Sequence, residues 1–235
     1  MKKIGNGNSK IRDVFVLVPV FNEAPIVEGV IRELLNYFEN IIVVNDASTD
    51  YSSDILHSLD VILLEHSLNL GQGAALRTGF RYIRKFTEAQ AVITFDADGQ
   101  HSAQDAVKFA HSILTGKDMV IFGSRFLGST SDAPGHKKWM LKLATLVTNM
   151  LTNLELTDTH NGLKAFKCSA LQYFHFEIDG YAFESELIRK VRKHNLKFSE
   201  MPTHIKYTDY SKFKGQKLSN AFIIIEDIIK SWRKL

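Results

Sequence analysis

Five short apolar segments divide the first half of the chain, and each is hydrophobic on both of its faces. They are rich in β-branched residues, which is typical of strands buried in a parallel sheet. The predicted strands are residues 14–20, 41–45, 61–65, 91–95 and 119–123. Segments with helical spacing lie between them, at residues 24–38, 52–59, 74–86 and 103–114.

Regular alternation of strand and helix predicts an α/β fold, with a Rossmann-like, doubly wound and mostly parallel sheet. Beyond residue 126 the pattern loosens. There we predict helices over 139–153 and 183–194, strands over 163–166 and 198–205, and an amphipathic helix over 217–235.

Polar clusters follow the predicted strands directly. They include Asn22 and Glu23 after the first strand, Asp46 after the second, and Arg125 after the fifth. Ligands of such sheets bind outside the carboxyl ends of the strands. We therefore expect these side chains to meet on one rim.

The segment FDADGQH, residues 95–101, places Asp96 and Asp98 at the end of the fourth strand. Two such carboxylates hold Mg²⁺ or Mn²⁺ and leave positions for water and phosphate oxygens, and Gln100 offers another oxygen. The competing interpretation is that these acids only cap the helix beginning near residue 103. A helix-loop-helix calcium site is excluded, because glycine and glutamate would be needed at His101 and Val107. Phosphatases that use an aspartyl nucleophile also carry this pattern after a strand. They usually place it after their first strand, whereas here three strand and helix units precede it.

Two further segments suit a nucleoside. Phe21 offers an aromatic face and Glu23 a carboxylate acceptor, whereas Asn22 is explained by capping of the next helix. Asp46 is a second acceptor, and the neighbouring Ser48, Thr49 and Asp50 are expected to cap the helix that follows.

The segment NLGQGAALRTG, residues 69–79, places two glycines, including Gly73, before a helix that carries Arg77. A Gly-x-Gly turn alone is weak evidence. Beside a metal site, exposed backbone amides and an arginine at the start of a helix suit a phosphate or ribose. Arg125 is likewise placed to meet anionic groups.

Composition narrows the function classes without choosing one. The 235 residues are 45% hydrophobic and 23% charged, as in ordinary globular proteins, and the net charge of +3 is too small to argue for nucleic acid. The single cysteine forms no internal disulfide, and the N-terminal residues show no apolar signal segment. We expect a cytoplasmic chain without a membrane span.

Taken together, VLVPVFNEAP, VVNDASTD, NLGQGAALRTGF, FDADGQH, GSRF and TDTHNGLKAF resemble the successive motifs of glycosyltransferase family 2, over about residues 14–216. The nearest similarity is to bacterial and dolichyl-type enzymes that transfer a sugar from a nucleotide to a polyprenyl phosphate. The resemblance implies a GT-A fold with acceptor-side helices near the C-terminus, inversion at the anomeric carbon, and use in cell-envelope polysaccharide synthesis.

The resemblance also implies roles for particular residues. Asp96, Asp98 and Gln100 would bind the metal, with Asp98 and Arg125 catalytic. The donor would contact Pro19, Phe21, Glu23, Asp46, Gly73, Arg77 and Asp96. One departure is that Asn45 replaces the first of two adjacent aspartates common in the family. We favour a UDP-sugar as the donor.

The acceptor decides whether a base is needed. A sugar hydroxyl requires one, and Glu186 is the candidate by its match to the family's late helix. A phosphate monoester has a second pKa of about 6 and is already a nucleophile at neutral pH. Arg125, Lys138 and Lys212 are then the expected acceptor-binding residues. A third alternative is a catalytically silent nucleotide-binding scaffold.

A polyprenyl acceptor lies in the bilayer, so we expect peripheral attachment at the inner face of the cell membrane. The tail 217–235 combines an apolar side with flanking Lys and Arg, which suits the membrane interface or packing on domain 1–216. Residues 139–154 also suit either the membrane interface or packing on the domain. A small membrane protein is a candidate partner, and a homo-oligomer is a candidate assembly.

Overall fold

The computed structural model describes residues 10–127, 135–175 and 183–206. Within this part of the chain the strands are β1 Ile11–Val20, β2 Phe38–Asn45, β3 Ile62–Glu65, β4 Ala91–Thr94, β5 Val120–Ser124, β6 Lys164–Lys167 and β7 Phe198–Pro202. The α-helices are α1 Val27–Leu35, α2 Ser52–His57, α3 Gln72–Phe86, α4 Ala103–Thr115, α5 Gly135–Thr152 and α6 Phe183–Lys193.

The strands form one mixed sheet in the order β3-β2-β1-β4-β6-β5-β7. Strands β1 to β4 are parallel, β6 runs antiparallel to both β4 and β5, and β7 is parallel to β5. Strand β5 therefore points the same way as β4. The carboxyl ends of β1, β2, β4 and β5 share one rim with the beginning of β6, and the predicted α/β fold is confirmed.

Two apolar layers cover the sheet. Alternate residues of β1 divide between them, with Val14, Val16 and Val18 on one side and Phe15 and Leu17 on the other. Helices α1, α2 and α4 pack on the first side, whereas α3 and α6 pack on the second. Helix α3 lies so close to β1 that a Cβ on Gly79 would sit 2.2 Å from Leu17 Cδ1. Glycine is thus required there for this approach.

Several predicted boundaries were wrong by two or three residues. The first helix spans Val27–Leu35 rather than 24–38, because its last amides close on carbonyls three residues back and Phe38 already pairs with Ile11 in the sheet. Helix α3 begins at Gln72 rather than at residue 74. Strand β3 is partly exposed at the sheet edge, although its composition predicted a fully buried strand.

Other differences concern the second half. The helix expected from residue 139 begins one turn earlier, at Gly135, and a 3₁₀ helix, Cys168–Tyr173, follows β6. Among the described residues, the model contains no helix that is both long and apolar enough to cross a membrane. The predicted helix over 217–235 lies outside the described residues.

Candidate functional site

The loop after β1 is tied to the loop after β2 by side chains. Asn22 Oδ1 accepts hydrogen bonds from the backbone amides of Thr49 and Asp50, at 2.7 and 3.3 Å, and the amide of Asn22 donates to Ser48 Oγ. Asn22 adopts a left-handed backbone conformation with φ of 55°. The prediction that Asn22 caps α1 was therefore wrong, because its side chain serves the neighbouring loop.

The hydrogen bonds between these two loops continue at the next two residues. The amide of Glu23 donates to Ser52 Oγ at 2.9 Å, and the amide of Ala24 donates to Asp50 Oδ2 at 3.0 Å. These bonds fix the backbone from Asn22 to Ala24, directly after Phe21. Phe21 is 40% exposed at the rim and Glu23 is half-buried, while Pro19 lies within β1 opposite Val44. Their predicted contact with a nucleoside stays a prediction.

Asp46 is buried beneath the loop that leads into α3. Its carboxylate accepts hydrogen bonds from the amides of Leu70 and Gly71, at 2.9 and 2.7 Å, and lies 2.7 Å from His66 Nδ1. His66 Nε2 lies 2.8 Å from Thr78 Oγ1 on α3. Both carboxylate oxygens thus hold the loop. A further contact between Asp46 and a nucleoside stays a prediction.

The loop held by Asp46 turns into α3 at Gly71, whose φ of 93° lies in the region that favours glycine. Gly73 is buried in the first turn of α3 rather than in the preceding loop, and half-buried Arg77 follows one turn later. The turn directs Gln72 to the metal-site candidates, where its Nε2 donates to Asp96 Oδ1 at 3.0 Å. The sequence pattern did not indicate Gln72.

Asp96 and Asp98 lie together beyond β4, and each affects the ionisation of the other. Burial opposes ionisation of Asp96, but His101, whose Nε2 is 3.7 Å from Asp96 Oδ2, together with Lys164 and Arg125, holds its pKa below the usual range. Burial, followed by the negative charge of Asp96, raises the pKa of Asp98 to about 6. A divalent cation between the two groups would relieve this repulsion.

The backbone around the pair is well ordered by its own hydrogen bonds. The amide of Gln100 donates to Asp98 Oδ1 at 3.0 Å, and the Gln100 carbonyl accepts from the amide of Lys206. Asp96 lies against the backbone of Gly162, where a Cβ would come within 1.8 Å of Asp96 Oδ2. Glycine at 162 therefore permits this close approach.

The described residues contain no group of three or more His, Cys, Asp or Glu arranged to hold a metal. This donor set still fits Mg²⁺ or Mn²⁺, because such ions bind through one or two carboxylates and complete their shell with water and phosphate oxygens. Asp96 and Asp98 supply the two carboxylates, and Gln100 lies beside them in the chain.

Arg125, after β5, forms a buried ion pair with Asp158. Arg125 Nε lies 2.6 Å from Asp158 Oδ2, and a second guanidinium nitrogen donates to the carbonyl of His160 at 2.6 Å. Burial opposes ionisation of Asp158, but the charge and hydrogen bonds of Arg125 lower its pKa. Burial, with the positive charges of Lys164 and Arg125, lowers the pKa of His160 to about 4. Arg125 thus lies at the rim as predicted and braces the loop containing Asp158.

A second buried ion pair, which the sequence pattern did not indicate, joins the beginning of β6 to α6. Lys164 Nζ lies 2.7 Å from Glu184 Oε1 and also donates to the carbonyl of Asn161. Burial raises the pKa of Glu184 to about 7 against the attraction of Lys164, and the negative charges of Asp96 and Asp158 raise it further. One feature of the sequence could have indicated this ion pair. A lysine within the apolar strand LKAF is expected to be buried only with a partner of opposite charge.

Glu186, the base predicted for a hydroxyl acceptor, lies two residues further along α6. Its side chain is only 1% exposed, and its Oε1 is 3.1 Å from Lys190 Nζ. Lys138 belongs to the first turn of α5, but its side chain lies outside the described part of the structure, as does all of Lys212. The acceptor-binding roles of these residues stay predictions.

Comparison with known proteins agrees with the fold and the order of the motifs. The model of glycosyl transferase family 2 matches residues 15–174. An uncharacterized protein of Methanocaldococcus jannaschii is 34% identical, with 97% of each chain covered. The UDP-N-acetylglucosamine–dolichyl-phosphate N-acetylglucosaminyltransferase of Methanococcus voltae is 29% identical, with 90% of this chain and 92% of the relative covered.

A similar solved structure is glucosyl-3-phosphoglycerate synthase of Mycobacterium tuberculosis, in complex with Mn²⁺, UDP and phosphoglyceric acid. Its TM-score is 0.71 at 16% identity, and the match covers 93% of this chain and 76% of that one. The chain therefore belongs to glycosyl transferase family 2. The predictions of a GT-A fold and of a glycosyltransferase are confirmed.

Proposed function

We propose that this chain transfers a sugar, with inversion, from a nucleotide-sugar to a polyprenyl phosphate used in cell-envelope polysaccharide synthesis. The observation that carries the proposal is the half-buried pair Asp96 and Asp98 at the carboxyl rim of the sheet. The Methanococcus voltae relative, whose name specifies a UDP-sugar donor and a dolichyl-phosphate acceptor, supports this choice of donor and acceptor.

Asp96, Asp98 and the side chain of Gln100 are the residues that would hold Mg²⁺ or Mn²⁺. The bound ion would neutralise charge on the departing nucleoside diphosphate. Gln72 fixes Asp96 Oδ1, and the amide of Gln100 fixes Asp98 Oδ1, so both carboxylates are oriented before a ligand arrives. Preorganised groups of this kind avoid reorganisation during the reaction.

The nucleoside would lie beside the loops after β1 and β2. The exposed face of Phe21 suits stacking on a base, and Glu23 suits a base that presents N–H groups. Pro19 and Arg77 complete the proposed donor surface, and the buried Asp46 and Gly73 are proposed to shape the loop behind it. We favour a UDP-sugar, consistent with the donor in the name of the Methanococcus voltae relative.

A phosphate acceptor needs no general base, because a monoester with a second pKa of about 6 is mostly dianionic at neutral pH. An acceptor oxygen forms a bond to the anomeric carbon as the bond from that carbon to the nucleoside diphosphate breaks. Glu186 is buried and paired with Lys190, which favours phosphate over the hydroxyl acceptor for which Glu186 would serve as base. Arg125, with Lys138 and Lys212, is proposed to orient the acceptor phosphate.

Helix α5 is our candidate for contact with the membrane. Trp139, Leu146 and Met150 recur at helical spacing and are 69%, 55% and 76% exposed. A row of apolar side chains with tryptophan at one end, next to Lys142, suits the bilayer interface. The tail 217–235 and a small membrane protein are further proposed contacts.

Flotation with anionic liposomes tests this contact. We expect the protein to float at low salt, and the double variant Leu146→Gln, Met150→Gln to bind the liposomes at least about a hundredfold more weakly, since burial of each large apolar side chain stabilises binding by roughly 1.5 to 3 kcal/mol. Arg84→Gln, on the exposed surface of α3, is the matched control. Equal flotation of all three proteins would count against α5.

The transfer itself is tested with a panel of UDP-, GDP- and dTDP-sugars, Mg²⁺ or Mn²⁺, and a short polyprenyl phosphate, with Asp98→Asn as the blank. We expect a sugar-phosphate polyprenol from at least one donor, and no product from the blank. A folded wild-type protein that yields no product with any donor would contradict the proposal and revive the silent scaffold. Product formed only with a sugar-hydroxyl acceptor would revive the alternative that uses Glu186.

A further inference from the structure

A small cavity lies directly beside Asp96, between the first turns of α3 and α6. Its walls include Gln72, Leu76, Asp96, Lys164, Glu184 and Leu187. The cavity has room for one hydroxyl group or one water molecule.

Glu184 lines this cavity, and one of its carboxylate oxygens is not used by the ion pair with Lys164. Its Oε1 is taken by Lys164 Nζ at 2.7 Å, whereas its Oε2 is buried and has no hydrogen-bond partner within the described residues. Leaving a buried carboxylate oxygen without a partner is costly, so such an atom calls for a ligand. Lys164 is only 4% exposed and holds the carboxylate in place.

The wall of the cavity is partly polar and partly apolar. Gln72, Thr94, Asp96 and Lys164 offer partners to a hydroxyl or a water, whereas Leu76, Phe183 and Leu187 suit the carbon that carries a ring hydroxyl. A ring hydroxyl needs only one acceptor, and its carbon packs against apolar side chains. Because Asp96 belongs to the proposed diphosphate site, the sugar attached to that diphosphate is the ring within reach.

We propose that Glu184 selects the donor sugar, by accepting through Oε2 a hydrogen bond from one of its hydroxyls. Lys164 positions the carboxylate and does not itself contact the sugar. The inference rests on the proposed function, since it takes a nucleotide-sugar as the ligand. The inference gives Glu184 a role in donor specificity that is separate from metal binding and from acceptor binding.

Binding measurements test this without any acceptor. Titration calorimetry would compare the wild type and Glu184→Gln, with Mn²⁺, for a nucleoside diphosphate, its nucleotide-sugar and the series of singly deoxygenated sugars. We expect one deoxy-sugar to bind the wild type roughly 5- to 100-fold more weakly than the parent, because loss of the hydroxyl leaves a buried acceptor unsatisfied. In Glu184→Gln that difference should shrink to about twofold, with affinity for the nucleoside diphosphate unchanged.

The matched control is Glu88→Gln, an exposed acid before the amino end of β4, which should behave as wild type. If Glu184→Gln fails to fold, the deoxy series on the wild type still decides, because equal affinity for every analogue would overturn the inference. So would equal weakening of nucleotide and nucleotide-sugar, which a purely structural role predicts. Discrimination in binding without transfer to polyprenyl phosphate would instead contradict only the proposed acceptor.

Discussion

The two halves of the rim are held together by different forces. The loops after β1 and β2 are joined mainly by side-chain oxygens that accept from backbone amides, as between Asn22 and Thr49 or Ser52 and Glu23. Around β5 and β6 the contacts are buried ion pairs: Arg125 pairs with Asp158 in the loop before β6, and Lys164 of β6 pairs with Glu184 of α6. Hydrogen bonds to backbone amides thus dominate in the first half, whereas ion pairs between buried side chains dominate in the second.

This difference matches the proposed division of labour. The first half would hold a nucleoside, which needs a rigid surface of fixed shape. The second half would bring together two anionic reactants, where positive groups already locked by buried carboxylates need little reorganisation. We therefore expect the second half to respond to charge and pH more strongly than the contacts of Asn22, Ser48 and Ser52, whose side chains are neutral.

The largest effect should follow from breaking the deepest ion pair. Asp158→Ala removes the carboxylate that pairs with the buried Arg125 guanidinium, and we expect the free energy of unfolding to fall by about 3 to 5 kcal/mol. Urea denaturation would measure it. Asp60→Ala, at an exposed acid, is the control and should change stability by less than about 0.5 kcal/mol. If Asp158→Ala lowered the free energy of unfolding by less than about 1 kcal/mol, the two halves would not differ in their dependence on buried ion pairs.

A smaller effect should appear in the pH dependence of Glu184→Gln. The folded wild type keeps the Glu184 proton up to a pKa of about 7, whereas the unfolded chain releases it near 4.5, so wild-type stability falls as the pH rises through this window. Glutamine does not titrate. Between pH 5 and 8 the stability of the variant relative to wild type should therefore rise by about 1 to 3 kcal/mol.

Thermal or urea denaturation in a chelating buffer, at several pH values, would measure this change. Chelation matters because a bound cation near Asp96 would alter the charges around Glu184. A stability difference that stays constant from pH 5 to 8 would argue that Glu184 is less buried from solvent than the structure indicates.

The smallest effect should come from the first half. Ser52→Ala removes the acceptor of the Glu23 amide, and we expect a loss of about 1 kcal/mol in the free energy of unfolding. This loss should be the same at pH 5 and pH 8. A pH-dependent loss would mean that charge also holds the loops after β1 and β2 together.

The first half of the rim was largely predictable from the sequence. Alternating apolar segments located the parallel strands, and strand-end placement brought Asp46, Asp96 and Arg125 to one edge. The antiparallel insertion of β6 was not predictable, because a four-residue apolar strand carries no sign of its direction or its neighbours. For the same reason Lys164 was not placed beside Asp96.

Partners of individual polar residues were harder still to predict. Asn22 was expected to cap α1, yet it adopts a left-handed conformation and binds the next loop, a choice that depends on tertiary contacts. Glu184 and Glu186 lie two residues apart on α6, and spacing alone did not show which one borders Asp96. The packing of α6 against β6 decides that question.

The measurement that tests the metal-dependent donor site most directly is nucleotide binding with and without Mn²⁺, in the wild type and Asp98→Asn. Titration calorimetry with UDP and GDP should show that Mn²⁺ strengthens binding of at least one nucleotide to the wild type by about tenfold or more, as expected for an ion shared by carboxylates and a diphosphate. The folded variant should show no such gain. Binding that is independent of Mn²⁺, or equal strengthening in Asp98→Asn, would contradict a metal site at Asp96 and Asp98.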